Sequence, residues 1–307
     1  SRTVAQKSAI SGLEGILIRA GVKVMLTGYN LETGITVSVD ADIQETGACV
    51  MPARLFFDIV RKLPDDTVSI QVDESFKVSI KGGISSFTIT ALSADDYPEL
   101  PDVDSEKGIR VPQNELKAMI SGTIFAVSEN QARPIHTGVL FEVDNDSITS
   151  VAVDGYRLAL RRYLPEESLE RTLKFVAPAA ALKEVEKILG DTDDPATFYP
   201  GSKHILFTIG DATLVCRILE GEFLDYKNAI PRRNPINVVV DTKTMLQSLE
   251  RVSVVISEKL KSPVRCQFGE DKVTMSAKTS NGDAKDVCRI AGDGQGLEIG
   301  FNNRYLM

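Results

Sequence analysis

The chain has no tryptophan, only two histidines and four cysteines among its 307 residues, and each shortage excludes a class of function. With His136 and His204 alone, and no GxSxG, HExxH, GxGxxG or GxxxxGK(S/T) signature, there is no nucleophile–base pair, zinc helix or phosphate-cradling loop to run an enzyme or hold a cofactor. Cys49, Cys216, Cys266 and Cys288 form no CxxC pair and sit mostly in apolar strand patterns. They read as buried thiols of a reducing compartment rather than disulfides or metal ligands. No apolar run reaches membrane-spanning length and no secretory leader opens the chain, so a cytoplasmic protein is expected. Asp154, Asp95-Asp96 and Asp193-Asp194 are the conspicuous carboxylates, and their plainer role is turn formation through bonds to the backbone. His204 falls in Gly201-Ser202-Lys203-His204 and reads as a solvated residue of a hairpin turn. Basic residues are also short, 35 against 43 acidic for a net charge of -8, which ordinarily counts against a nucleic-acid binder.

What the chain does contain is a repeat. Met51-Pro52, Val111-Pro112, Ala177-Pro178, Val240-Asp241 and Phe301-Asn302 are anchors whose second members lie 60, 66, 63 and 61 residues apart. Each leads into apolar residues at helical spacing, such as Leu55/Phe56/Ile59/Val60, Leu116/Met119/Ile120, Leu182/Val185/Ile188/Leu189 and Met245/Leu246/Leu249. Proline suits a helix entrance because its missing amide would be unpaired there anyway, and Asp or Asn caps the same position. After the helices come alternating segments: Gly138-Val139-Leu140-Phe141-Glu142-Val143 with Ile148-Thr149-Ser150-Val151-Ala152-Val153, and Val68-Ser69-Ile70-Gln71-Val72 with Phe76-Lys77-Val78-Ser79-Ile80. A period of two predicts antiparallel strands with one face on a core and one in water.

Two kinds of unit alternate, and the even ones end in similar exits, Asp95-Asp96-Tyr97-Pro98-Glu99-Leu100-Pro101 and Leu224-Asp225-Tyr226-Lys227-Asn228-Ala229-Ile230-Pro231. Two units therefore make a domain and the exits are linkers. The expected organisation is α+β, with three similar domains at 1–108, 109–232 and 233–307, each of two helix-plus-antiparallel-strand units. At roughly 62 residues per unit, the last should run about 50 residues past Met307 and the first should begin about 10 to 15 residues before Ser1.

The charges are unevenly spread. Arg54, Asp58, Arg61 and Lys62 give the first repeat helix +2; Glu115 with Lys117, and Lys183, Glu184, Glu186 with Lys187, balance; Lys243, Glu250 and Arg251 give +1. The helices thus carry +3 on a chain of -8. They read either as one mildly positive face on an acidic body or as ordinary solvated surfaces.

Val151-Ala152-Val153-Asp154-Gly155-Tyr156-Arg157-Leu158-Ala159, Pro52-Ala53-Arg54-Leu55-Phe56-Phe57-Asp58-Ile59-Val60-Arg61-Lys62-Leu63-Pro64 and Thr137-Gly138-Val139-Leu140-Phe141-Glu142 together resemble the bacterial β sliding clamps, processivity subunits of DNA polymerase III. Leu26-Thr27-Gly28-Tyr29-Asn30-Leu31-Glu32, Tyr97-Pro98-Glu99-Leu100-Pro101 and Ile299-Gly300-Phe301-Asn302 extend the resemblance over essentially the whole chain. It implies the DNA-clamp fold: a head-to-tail homodimeric ring of six domains, helices inside and sheets outside. Such a ring catalyses nothing; it encircles duplex DNA without reading its sequence and tethers the replicative polymerase. A ring held by topology needs only weak phosphate contacts.

The resemblance also implies site residues. DNA contact falls on Lys7, on Asn130, Gln131, Arg133, Pro134 and Ile135, and on Lys187. The subunit joint falls on Phe87 and Ile89, and on Val254 and Val255, although Val254-Val255-Ile256 also reads as plain core. Polymerases, the clamp loader and repair factors would dock a short peptide ending in apolar residues against Val153, Gly155, Tyr156, Arg157, Leu158, Leu224, Asn228, Ala229, Leu260, Asn302 and Tyr305. His136, beside that pocket, stands where the family usually has an aliphatic residue, as Tyr156 stands for a histidine and Asn228 for an arginine. A non-catalytic β-rich adhesion array and a repeat-scaffold enzyme are the alternatives. The first should show secretion signals or paired cysteines, and the second a convergent polar pocket.

Overall fold

Each anchor opens a helix. In the computed structural model, which describes residues 3–5, 8, 10–257 and 262–307 and every side chain among them but that of Ser11, the longer helices are α1 (Ala53–Lys62), α2 (Gln113–Ser121), α3 (Ala179–Ile188) and α4 (Thr242–Ser253). Pro52, Pro112 and Pro178 stand just before the first three with φ of -56°, -55° and -59°, the value the pyrrolidine ring enforces. Asp241 caps α4, its Oδ1 accepting from the Thr244 amide at 2.8 Å. Asn302 repeats the device before Asn303–Leu306, its Oδ1 accepting from the Arg304 amide at 3.0 Å.

The Asp241 cap is measurable. Bonds from the Thr244 hydroxyl and amide hold the Asp241 carboxyl below its ordinary range. A group whose pKa is depressed on folding stabilises the fold above its unfolded value, near 3.9, and loses that contribution as pH falls through the folded value. Asp241→Ala should therefore lower the thermal midpoint at pH 7, and the gap from the parent should shrink below about pH 4. Calorimetry across that range checks it; a gap independent of pH would show that the cap acts through shape alone.

The chain divides into two compact units, Ser1–Leu224 and Asp225–Met307. In the first, an eight-stranded sheet runs edge to edge through Gly47–Pro52, Gly15–Ala20, Val24–Tyr29, Thr33–Val39, Ala212–Arg217, His204–Ile209, Pro195–Pro200 and Ile109–Pro112. Its centre is a join between distant segments, antiparallel, with Ala212 opposite Val37, Leu214 opposite Ile35 and Cys216 opposite Thr33. A four-stranded sheet (Leu158–Tyr163, Ser147–Val153, Gly138–Asp144, Leu173–Pro178) and a three-stranded one (Ser69–Val72, Lys77–Gly82, Ser85–Thr90) complete the unit. Between the eight-stranded sheet, the four-stranded sheet, α2 and α3 lies the largest core, where Phe141 stacks on Phe175 at 5.2 Å and Phe198 packs against Phe207. Helix α2 contributes Leu116, Met119 and Ile120, all fully buried at the i, i+3, i+4 spacing that turns three side chains to one face. Burial of each stabilises by about 1.5 to 3 kcal/mol.

The second unit packs α4 on a five-stranded sheet ordered Val239–Val240, Gly282–Ala291, Lys272–Thr279, Val264–Phe268, Glu298–Phe301. Leu249 and Val252 of α4 meet Val264, Cys266, Val273, Met275, Cys288 and Ile290 in its core. Strand alternation turns Arg265, Gln267, Thr274, Ser276 and Lys278 to the other face.

All four cysteines are free and buried, as their strand contexts suggested. Burial pushes the Cys216 and Cys266 thiols up to about 12 and about 11. His204 departs from expectation: it begins the strand His204–Ile209 opposite Arg217, is half-buried, and has its pKa lowered by burial and by Arg217 and Lys203. The turn there is shorter than the polar residues suggest, because Gly201 donates its amide to the His204 carbonyl at 2.9 Å and closes the loop early. Among the described residues no helix is long and apolar enough to cross a membrane.

Candidate nucleic-acid and partner interfaces

The loop between α2 and the strand Gly138–Asp144 is tied down by its own polar groups. Asn130 accepts from the Ala132 amide at 2.9 Å through its side chain, and its carbonyl accepts from the Arg133 amide at 3.3 Å. A single helical turn, Pro134–Thr137, follows. Asn130, Gln131, Arg133 and Pro134 are exposed along this loop, which gives it a cation with no ion pair among the described residues and two side-chain amides to offer a phosphate. Ile135 points the other way: it is buried, with its Cβ 3.6 Å from where a side chain on Gly221 would begin. It anchors the loop, and its apolar character leaves it no part in a phosphate contact. His136 packs edge-on against Phe223, ring centroids 5.3 Å apart; burial and Arg133 lower its pKa.

Lys187 sits in the last turn of α3, where a cation complements the helix dipole, but its ammonium is 2.7 Å from Glu184 one turn earlier. In α1, Arg54, Arg61 and Lys62 are exposed and none has an ion-pair partner among the described residues, so the first helix has the most available positive charge. Lys7 and Leu260 lie outside the described residues.

The turn after the strand Ser147–Val153 is built around Asp154. Its Oδ1 accepts from the Tyr156 and Arg157 amides at 2.9 and 3.1 Å, and its Oδ2 from Arg157 Nε at 3.0 Å. Gly155 has a φ of +93°, which favours glycine. The carboxylate is thus used up in shaping the turn, as the plainer reading of Asp154 had it. The result is that Tyr156 stands 86% exposed on a fixed turn while Val153 beneath it is buried. Arg157 lies over the Phe125 ring at 5.7 Å. Leu158 and Leu160 alternate onto one face of the next strand, and Leu160, Phe125 and Leu224 are exposed. Val153, Gly155, Tyr156, Arg157 and Leu158 thus share one hairpin, with Leu158 and Leu160 on one face of its second strand and Arg157, over Phe125, turned to the other; sequence reasoning missed both Phe125 and Leu160. The only sequence signal for Phe125 was an aromatic in a polar-bounded loop, which specifies no partner.

In the second unit, Asn228 and Ala229 lie on the helical turn Tyr226–Ala229, where Asn228 Nδ2 donates to Asp225 at 2.7 Å. Asn302 is occupied in capping, and Tyr305 is 39% exposed in the turn it caps.

The joint residues sit on strand edges and helix ends. Phe87 and Ile89 belong to Ser85–Thr90, an outer strand of the three-stranded sheet, and lie opposite the buried Ile80 and Val78, so they face the core side of that sheet. The valines divide: Val254 is 82% exposed, whereas Val255 packs partly buried against the core of the second unit. Thr279 fixes this corner by donating its hydroxyl to the Val255 carbonyl at 2.9 Å.

Among the described residues no group of three His, Cys, Asp or Glu side chains is placed to hold a metal ion. Asp193 accepts from the Asn114 side chain at 2.8 Å and Asp194 from the Thr192 hydroxyl at 3.0 Å; both bind structural neighbours.

Three family models match in order: the N-terminal domain of the DNA polymerase III beta subunit over residues 1–101, the central domain over 110–225 and the C-terminal domain over 227–307. The beta sliding clamp of Staphylococcus aureus is 30% identical over 322 aligned positions, covering 100% of this chain and 84% of that protein. Among solved structures, a DNA polymerase III beta subunit from Eubacterium rectale superposes with a TM-score of 0.93 at 29% identity over 99% of this chain and 83% of its own. The Bacillus subtilis sliding clamp gives 0.91 at 29% identity with the same coverage. A Pseudomonas aeruginosa clamp bound to griselimycin gives 0.92 at 28%, over 99% of this chain and 83% of its own. An adhesion array has no place in this set of relatives. With its repeat, its capped helices and its whole length matched in order, the chain belongs to the bacterial β sliding-clamp family, the beta subunits of DNA polymerase III.

Proposed function

We propose that this protein is a cytoplasmic, non-catalytic replication processivity factor: two copies join head to tail into a ring that encircles duplex DNA and tethers the replicative polymerase. The clamp loader, other polymerases and repair factors are further partners. In this reading the chain has three domains, at 1–108, 109–232 and 233–307, and uses no cofactor and no membrane.

The observation that carries the ring is the strand join inside the first unit. There the third strand of one repeat, Thr33–Val39, pairs with the last strand of another, Ala212–Arg217. The repeat supplies equivalents for both partners. Gly82 opposite Ser85 matches Ile209 opposite Ala212, and Lys278 opposite Asp283 matches Tyr29 opposite Gly34. Ser85–Thr90 and Gly282–Ala291 are therefore the same two kinds of strand. An exposed strand edge is a template for pairing, and closure into a ring removes it. Transferring the observed register puts Phe87 of one copy opposite Ala284 of the next, Ser86 opposite Lys285 and Ile89 opposite Gly282. Val254 then stands at the corner where the incoming Phe87 and Ile89 would land, since Gly282 lies beside Val255.

DNA contact is assigned to the exposed part of the loop, Asn130, Gln131, Arg133 and Pro134, to Lys187, to Lys7, and to the exposed cations of α1. Ile135 holds the loop in place. Partner peptides are assigned to the Asp154–Gly155 turn and the residues grouped with it above. An aromatic held almost fully exposed on a rigid turn costs little further ordering on binding, and the apolar pair Leu158 and Leu160 suits a buried Leu or Phe anchor.

Tyr156→Ala with Leu158→Ala should weaken a clamp-binding peptide by about 2 to 4 kcal/mol, roughly 30- to 700-fold. Titration of a labelled peptide against both proteins tests this. Equal affinity, with circular dichroism unchanged, would remove the turn from the peptide site.

A further inference from the structure

The face of the second unit's sheet opposite α4 is cationic, against the sign of the chain. Arg265, Lys272, Lys278, Lys285 and Arg289 all point to it and are exposed, while its strands contribute two acids, Asp283 and Glu298. Glu298 lies 3.4 Å from Arg265. Among the described residues the three lysines and Arg289 have no ion pair. Lys272 stands directly opposite Arg289 in the strand register, and Ser276 is flanked by Arg265 on one side and Lys285 on the other. Like charges directly across a ladder destabilise it, so the sequence carries this arrangement at a cost to the fold. A shallow concavity of about 620 Å³ at one end of the face is lined in part by Arg265, Ser276, Lys278 and Lys285.

Among the described residues the face carries no aromatic side chain, and single-stranded nucleic acid draws much of its affinity from stacking on aromatics. At its middle, between Lys285 and Arg289, Val287 is 48% exposed. A phosphate backbone gains nothing from an apolar side chain ringed by cations. An extended protein segment alternating carboxylates with apolar residues gains from both. We propose that this sheet face docks an acidic segment of a partner protein, its carboxylates on Lys272, Lys285 and Arg289 and an apolar side chain on Val287. The surface lies wholly within the second unit and is separate from the residues assigned above to DNA and to the apolar peptide; of its residues Lys285 also borders the proposed joint, opposite Ser86.

The test uses the full chain, a fluorescein-labelled twelve-residue peptide alternating Glu and Leu, and a labelled dT12 oligonucleotide, each followed by fluorescence anisotropy. The peptide should bind at low ionic strength and weaken as salt screens the cations. Lys272→Glu with Lys285→Glu should reduce its affinity about tenfold or more, and Val287→Ser about threefold, without affecting dT12. Both lysines are exposed, and Lys272→Glu replaces a repulsive pair with an attractive one, so an unchanged or raised thermal midpoint serves as the folding control; because Lys285 borders the proposed joint, light scattering must also show the variant's assembly state unchanged from the parent's. Peptide affinity untouched by the double charge reversal would overturn the proposal. So would dT12 binding more tightly than the peptide and being lost in the double variant but not in Val287→Ser, which would make the face a nucleic-acid surface.

Discussion

A variant carrying Ser86→Cys and Lys285→Cys is expected to cross-link into a covalent dimer under mild oxidation, whereas Ser86→Cys with Asp283→Cys is not. The first pair are direct opposites in the proposed joint, where Cβ atoms lie about 4.5 to 5.5 Å apart, close enough to the disulfide range for small backbone adjustment. The second pair are offset by two residues and too distant. The native cysteines will not confuse the result, because all four are buried and the two most perturbed are pushed far above neutral pH. The complementary experiment is disruption. Val254→Glu together with Phe87→Glu should give monomers by light scattering, since an unpaired charge buried in an apolar joint costs several kcal/mol. Val255 is not a clean choice, for it packs into its own unit's core and a charge there would damage the fold itself. Cross-linking of the offset pair alone, or a dimer unaffected by both charges, would refute this register and this joint.

Retention on DNA is expected to depend on topology rather than affinity. Loaded onto a nicked circle, the protein should survive high salt and then be lost once the circle is linearised. Direct binding to a short linear duplex should be weak and fall steeply with salt. The charge distribution is the reason. The chain is acidic overall, Lys187 is partly neutralised by Glu184, and the exposed cations of the α1 helix and the 130–134 loop are few. A protein making few phosphate contacts cannot bind linear DNA tightly at physiological salt, so long residence requires enclosure. Tight, salt-resistant binding to a linear duplex would overturn encirclement and point to a conventional binding surface.

Much of the local structure was legible in the residues. Pro52, Pro112, Pro178, Asp241 and Asn302 each mark a helix start because the chemistry of an N-terminus is decided within one turn. Leu116, Met119 and Ile120 identify a buried helix face for the same local reason. The Asp154–Gly155 turn was legible too, since a short acceptor followed by a residue tolerant of positive φ shapes its own backbone. Less visible were Ile135, buried under Gly221 inside an otherwise polar loop, and the split between Val254 and Val255. A single residue's helical phase at a frayed end is poorly specified by spacing alone.

By itself, then, the sequence determined where helices begin, that the thiols are buried and that the chain is a repeat with the marks of a sliding clamp; it misread Gly138–Asp144 and Ser147–Val153, expected to have one face in water, which are buried on both faces because the outer side of their sheet is covered as well. The properties it determined depend on neighbours within a few positions or on the recurrence of a pattern. Only the tertiary structure decided that Thr33–Val39 pairs with Ala212–Arg217, that Phe125 lies beneath Arg157, and that five cations gather on one sheet face of an acidic protein. Alternation states which side of a strand is buried but not which strand lies beside it. That choice belongs to edges and surfaces that meet across long stretches of chain, and the proposed joint and the cationic face both rest on it.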